Sequence, residues 1–345
     1  MRIPENLRWK STGRTLGEGG QGAVCEVVDK DKPDGPRWAL KALAKDKPQR
    51  AYERFYREIA VVKELNHKNI IRVVDHSQKG AAFHYYVMEA PQGGNSLRKL
   101  MDSGTSPYDG EPQKSLDLFT QIVGVIEYCG GQPQPVVHRD LSPANILVLP
   151  DETIKVIDFG LCQVEGGTTI TLADEGVGTV NYMAPECESG AEEQISSRSD
   201  VYSAGKILWS AFTNQRAFSR ETPAFNSKSM KVLFPDFREA WHLQYIFEAT
   251  IRRLPSNRAN PAYLLLLARR TKESIRSGRP PLERMLQECP LCCQGDLRPF
   301  DQSYVVFGNP PPKGIVALQC ENCGYCFAIN REKIEERLNR ATNLD

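Results

Sequence analysis

The sequence has almost no net charge: 44 Lys and Arg stand against 43 Asp and Glu, a formal balance of +1. No global field would draw the chain to nucleic acid or to an anionic membrane. Long apolar runs are also missing. The longest near the end, residues 263–268, is far too short to span a bilayer. The opening residues, MRIPENLRWK, hold no apolar core of a secretory signal, so a cytoplasmic location is the default expectation. There is no internal repeat and no low-complexity tract. With 40% apolar and 25% charged residues, the 345-residue chain suffices for one large domain and a small module.

Cysteine is scarce where structure is expected to be densest and crowded elsewhere. Cys25, Cys129, Cys162 and Cys187 are scattered, and in a reducing compartment they read as buried thiols. Cys289, Cys292, Cys293, Cys320, Cys323 and Cys326 fall in the last sixty residues. Cys289-Pro290-Leu291-Cys292 and Cys320-Glu321-Asn322-Cys323 form two C-x-x-C knuckles with 27 residues between them. Four thiolates from two such turns complete a tetrahedral site suited to Zn²⁺. Cys293 and Cys326 are surplus: either could replace a neighbour as ligand, but they read rather as buried or free thiols. A disulfide framework is the runner-up, disfavoured in a reducing compartment. No thioredoxin-like pattern surrounds the knuckles, which argues against a redox pair.

The first ninety residues read as strands interrupted by one helix. Strand-like runs at 9–16, 23–29, 38–42, 70–76 and 84–89 flank a helical pattern over 49–65, with Phe55, Ile59, Val62 and Leu65 on one face. After Pro91-Gln92-Gly93-Gly94 the character is helical, most clearly over 116–129 and 199–212. Mostly helical sequence continues to about residue 287, and a short helix is expected over 331–341. Residues 251–285 carry nine Lys or Arg against two Glu, which reads as a solvated helix surface rather than a binding face.

Three constellations carry chemistry. Gly17-Glu18-Gly19-Gly20-Gln21-Gly22 has the spacing G-x-G-x-x-G between two strands. Without side chains, such a backbone comes close to phosphate oxygens and offers N–H donors. A dinucleotide-binding loop would open a helix here, whereas a second strand follows. Next, Ala39-Leu40-Lys41 ends an apolar strand, and Glu58 stands seventeen residues later on the predicted helix. The third is the most specific: His138-Arg139-Asp140-Leu141-Ser142-Pro143-Ala144-Asn145, followed by Asp158-Phe159-Gly160. Asp140 can accept a hydroxyl proton, and Asn145 and Asp158 are oxygen ligands of the kind Mg²⁺ takes.

Together these residues resemble the eukaryotic-type protein kinase over roughly residues 9–270. The resemblance implies an α+β, two-lobed fold with an antiparallel-sheet N-lobe and a helical C-lobe, binding ATP between the lobes. It implies phosphoryl transfer to serine or threonine hydroxyls of a protein substrate. Asp140 matches the catalytic base and Lys41 with Glu58 the ATP-anchoring ion pair. Asn145 and Asp158 match the Mg²⁺ ligands, and Leu16, Gly17, Gly19, Gly22, Val24 and Ala39 the nucleotide-binding strands. Met88 and Glu89 match the gatekeeper and the first hinge residue. Ala184-Pro185-Glu186 matches the end of the activation segment, Asp200 the aspartate that braces the catalytic loop, and Arg258 the partner of Glu186.

Thr179 matches the threonine that favours Ser/Thr specificity. Arg139 matches the arginine that can pair with an activation-segment phosphate, for which Thr168, Thr169 and Thr171 are candidate acceptors; otherwise they form a threonine-rich loop. Two positions depart from the family. Ser142 replaces the lysine that contacts the γ-phosphate, and Ala144 stands where some kinases read basic substrates with a glutamate.

The expected organisation is a kinase domain over 1–279 with its N-lobe to about 90, a linker at 280–285, and a zinc-ribbon-like module over 286–345. The module carries few basic residues, so a protein partner is expected rather than nucleic acid. The rival reading is a pseudokinase scaffold that senses nucleotide and recruits partners through the ribbon, with Ser142 its only support. A small-molecule phosphotransferase is a further rival, opposed by the activation segment.

Overall fold

Alternation along the first ninety residues sorts side chains onto two faces of one sheet. The computed structural model describes residues 2–19, 22–159, 162–164, 181–189, 195–219, 228–278, 297–299, 315–320 and 326–330. The sheet contains β1 (Trp9–Gly19), β2 (Gly22–Asp29), β3 (Trp38–Leu43), β4 (Val73–His76) and β5 (Tyr85–Glu89). Its order is β1-β2-β3-β5-β4, antiparallel throughout. One face buries Trp9, Cys25, Val27, Leu40, Ala42, Tyr85 and Val87. The other buries Tyr86 against Phe55 and Ile59 of α1 (Gln49–Glu64). Phe55, Glu58, Ile59 and Val62 are the buried residues of α1, a single helical stripe.

The expected strand over 70–76 is shorter, and the reason is its packing. Ile70 and Ile71 leave the sheet for β9 (Ile154–Val156). Ile71 N–H donates to the Val156 carbonyl at 3.0 Å, and Val156 N–H donates to the Asn69 carbonyl at 2.8 Å. The strand-rich and helical halves of the domain are stitched together here.

Below the sheet lie β6 (Asn95–Ser96), α2 (Leu97–Asp102), α3 (Pro112–Gly130), β7 (Val136–Val137) and β8 (Ile146–Val148). Strands β6, β8 and β9 form a small antiparallel sheet, and β7 pairs with β10 (Gln163–Val164). Helix α3 starts earlier than its apolar pattern suggests, because Pro112 occupies the first turn, where its missing N–H costs nothing. After α4 (Pro185–Ser189) comes α5 (Ser197–Thr213), opened by a reciprocal Ser196–Ser199 capping box and buried from Ser199 to Thr213. The later helical sequence is broken into α6 (Met230–Leu233), α7 (Arg238–Trp241), α8 (Gln244–Thr250) and α9 (Pro261–Arg276).

The chain divides into two compact units, 1–272 and 273–345. In the second, β11 (Leu297–Pro299), β12 (Ile315–Cys320) and β13 (Cys326–Asn330) form an antiparallel sheet in that order. The helix expected over 331–341 lies outside the described residues.

Candidate active site

The hairpin joining β1 and β2 brings Gly19 opposite Gly22 and Gly17 opposite Val24. Gly22 cannot carry a side chain: a Cβ there would sit 2.0 Å from the Ala42 carbonyl oxygen of β3. Behind the hairpin a cleft of about 780 Å³ is lined by Leu16, Gly17, Val24, Ala39, Met88 and Glu89, among others. That volume suits a nucleotide-sized ligand. Ala144, Leu147 and Ile157 line it from the other lobe.

Lys41 follows Ala39 by two residues, so both project from the same face of β3. Its Nζ lies 3.1 Å from both Glu58 carboxylate oxygens and 3.2 Å from Asp158 Oδ1. Burial alone would lower the Lys41 pKa, but the Asp158 and Glu58 carboxylates raise it well above the usual lysine value, so it stays charged. Burial pushes Glu58 up, against the pull of Lys41. Tyr86 also serves Glu58, its hydroxyl donating to Oε1 at 2.7 Å.

The loop between β7 and β8 carries Asp140 and Asn145. Asn145 Nδ2 donates to the Asp140 carbonyl and to Asp140 Oδ2, each at 2.9 Å. With its NH₂ so engaged, the amide leaves Oδ1 as an acceptor for a cation. Arg139 and Asp158 hold φ of 68° and 63°, a left-handed backbone costly for such residues. The loop is over-determined around them. Asp200 of α5 accepts from the His138 and Arg139 N–H groups at 2.7 and 2.9 Å. Burial raises Asp200 to about 7 against those two donors. Burial also lowers His138 to about 4, so its ring is neutral near pH 7. The network then assigns the tautomer: Nε2–H donates to the Ile157 carbonyl at 3.2 Å, and Nδ1 accepts from Asp140 N–H at 3.3 Å. Phe159 packs on that ring at 4.5 Å.

Ser142 is buried, and its hydroxyl has no hydrogen-bond partner among the described residues. Further out, Glu186 and Arg258 form a buried bidentate pair at 2.6 and 2.8 Å, and Ser199 Oγ donates to the same carboxylate at 2.7 Å.

The structure thus brings Lys41, Glu58 and Asp158 into one cluster and Asp140 beside Asn145. Gly160, Thr168, Thr169, Thr171 and Thr179 lie outside the described residues, as do Cys289, Cys292, Cys293 and Cys323. Cys320 and Cys326 stand at the facing ends of β12 and β13. Among the described residues no group of three or more His, Cys, Asp or Glu is placed to hold a metal ion. No helix among them is long and apolar enough to cross a membrane. Tyr86 was missed by sequence reasoning. It stands two residues before Met88, so the period-two rule that places Met88 on the cleft side gives it the same face.

A family profile described as protein kinase domain matches residues 11–271. A probable serine/threonine-protein kinase of Streptomyces coelicolor is 33% identical over 231 residues, covering 65% of this chain and 33% of the relative. Testis-specific serine/threonine-protein kinase 3 of Mus musculus is 33% identical over 199 residues, covering 57% of this chain and 70% of the relative. Serine/threonine-protein kinase PknB of Mycobacterium leprae is 26% identical over 237 residues, covering 67% and 37%. The matched region spans about a third of the length of the two bacterial relatives.

Proposed function

The chain belongs to the protein kinase domain family, and we propose that it transfers the γ-phosphoryl group of ATP to serine or threonine hydroxyls of proteins. One observation carries the reading: a partly buried, charged Lys41 held between Glu58 and Asp158, uniting β3, α1 and the segment after β9. A structural ion pair has no need of a second carboxylate that is 40% exposed, as Asp158 is. A phosphate-binding cation with a metal-binding neighbour does.

ATP supplies the phosphoryl group, and bound Mg²⁺ neutralises phosphate charge. The chain's own residues do the rest. Lys41 orients the α- and β-phosphates. Asn145, through its amide oxygen, and Asp158 would hold Mg²⁺. Leu16, Gly17, Gly19, Gly22, Val24 and Ala39 cover the nucleotide, and Met88 and Glu89 bound its base. Asp140, fixed by Asn145, positions the acceptor hydroxyl and takes its proton. Ser142 cannot supply the usual γ-phosphate cation, and this alone favours the scaffold reading. The serine/threonine preference is supported by the relatives' names.

For the last sixty residues we propose a zinc-ribbon-like module at 286–345, after a kinase domain at 1–279 and a linker at 280–285. Cys289, Cys292, Cys320 and Cys323 would ligate Zn²⁺, which would supply folding energy to a small core. The antiparallel pairing of β12 with β13, with Gln319 opposite Cys326, supports this, since the second knuckle lies in the sequence between those two residues. The module would bind a protein partner.

Labelled ATP offered with generic protein acceptors and, separately, with aminoalcohol antibiotics tests the kinase reading. Transfer to proteins alone is expected; transfer only to the small molecules would overturn it.

A further inference from the structure

The segment joining the two halves of the cleft holds a residue that the phosphoryl-transfer chemistry does not use. Along a strand, backbone polar groups face alternate neighbours. In β5 the odd-numbered residues face β4. Ser77 N–H donates to the Tyr85 carbonyl at 2.8 Å, and Glu89 N–H donates to the Arg72 carbonyl at 3.0 Å. Past Arg72 there is no further strand on that side, because the chain has turned to β9 through Ile71 and Val156. What lies opposite is the cleft: Ile71, Glu89, Ala90 and Pro91 all line it.

The next backbone groups on this edge belong to residue 91. Ala90 precedes a proline, which holds it in the extended region and carries the alternation through. Residue 91 is Pro91, which has no N–H. Its carbonyl accepts from Gly94 N–H at 3.3 Å and is in any case no donor. The edge that meets the cleft therefore offers the Glu89 carbonyl as an acceptor and, where a donor would follow, none.

We infer that this cleft recognises the base of its nucleotide through an acceptor alone, with Pro91 leaving the ring nitrogen beside the exocyclic amine unmatched. The inference rests on the proposed ATP site and makes Pro91 a specificity-determining residue within it. Adenine presents a donor, its amine, next to an acceptor, its ring nitrogen. The Glu89 carbonyl matches the first. A base with a carbonyl in place of the amine, as in guanine, sets two acceptors against each other. The second half of the adenine edge is left without a backbone partner, which forgoes about five-fold in affinity, the equivalent of one net hydrogen bond. Ligands with an amine or an apolar edge should fit this wall better than ligands with a lone acceptor.

The test is equilibrium binding with Mg²⁺ to the full chain, wild type and Pro91→Ala. The probes are ATP, its 1-deaza analogue (CH for the ring nitrogen) and purine riboside triphosphate, which lacks the amine. Wild type should bind ATP and the 1-deaza analogue within about two-fold, and purine riboside triphosphate at least about five-fold more weakly. Pro91→Ala restores an N–H and should bind ATP about five-fold more tightly, a gain absent with the 1-deaza analogue. Pro91→Val, which restores the N–H with a bulkier side chain, should reproduce the gain. A wild type that already loses about five-fold on the 1-deaza analogue, or two variants with unchanged ATP affinity, would overturn the inference. Failure of wild type and variants to bind any of the nucleotides overturns the ATP-site reading itself, a different result from altered base preference.

Discussion

Lys41, partly buried, and Lys206, fully buried, show two ways in which a lysine is tolerated away from bulk water. Lys41 is kept charged by two carboxylates. Lys206, fully buried in α5, donates to the Phe218 carbonyl at 2.7 Å and lies 3.7 Å from the Phe218 ring centre, and burial lowers its pKa to about 7. A lysine whose folded pKa lies below its unfolded value binds fewer protons when folded. Stability therefore rises as pH climbs from about 7 towards 10.5. Relative to a Lys206→Met variant, wild type should gain about 2 kcal/mol of unfolding free energy between pH 7 and pH 9, read by urea denaturation. A constant difference would contradict the assignment. At this scale much of the site is legible in the sequence. Lys41, Glu58, Asp140, Asn145 and Asp158 stand in strings whose order and spacing announce them. Tyr86 and Lys206 do not, because their roles depend on which side chains burial brings near.

Elements are held by a few shared side chains. Arg258 reaches Glu186 of α4, and its guanidinium also donates to the carbonyls of Arg198 in α5 and of Arg252 and Arg253 after α8. Removing it strands a buried carboxylate, so Arg258→Ala should cost about 3–5 kcal/mol in unfolding free energy. The double variant Glu186→Leu/Arg258→Met should be less destabilised than the single, because no buried charge remains alone. A double variant worse than the single would show that the pair is favourable in itself. Element type was readable wherever periodicity was strong, as in α1, α3 and α5. Boundaries moved where tertiary contacts decided them, as when Ile70 and Ile71 left β4 for β9. The capping box at Ser196 and Ser199 is a local signal that fixes the start of α5 ahead of its apolar run.

Across the whole molecule, the family match covers residues 11–271 and leaves the cysteine-rich tail to its own chemistry. If the two knuckles bind zinc, purified protein should carry about one Zn²⁺ per chain by elemental analysis. Cys320→Ser should abolish that content, whereas Cys293→Ser and Cys326→Ser should keep it. Zinc-free protein with a folded tail would contradict the ribbon. The kinase reading is put at risk most directly by phosphate incorporation from labelled ATP with Mg²⁺, comparing wild type with Asp140→Ala and identifying the labelled amino acids. Label is expected on serine or threonine in wild type, reduced roughly a hundred-fold or more in the variant. Equal labelling by both proteins, or none from a wild type that still binds ATP, would contradict it.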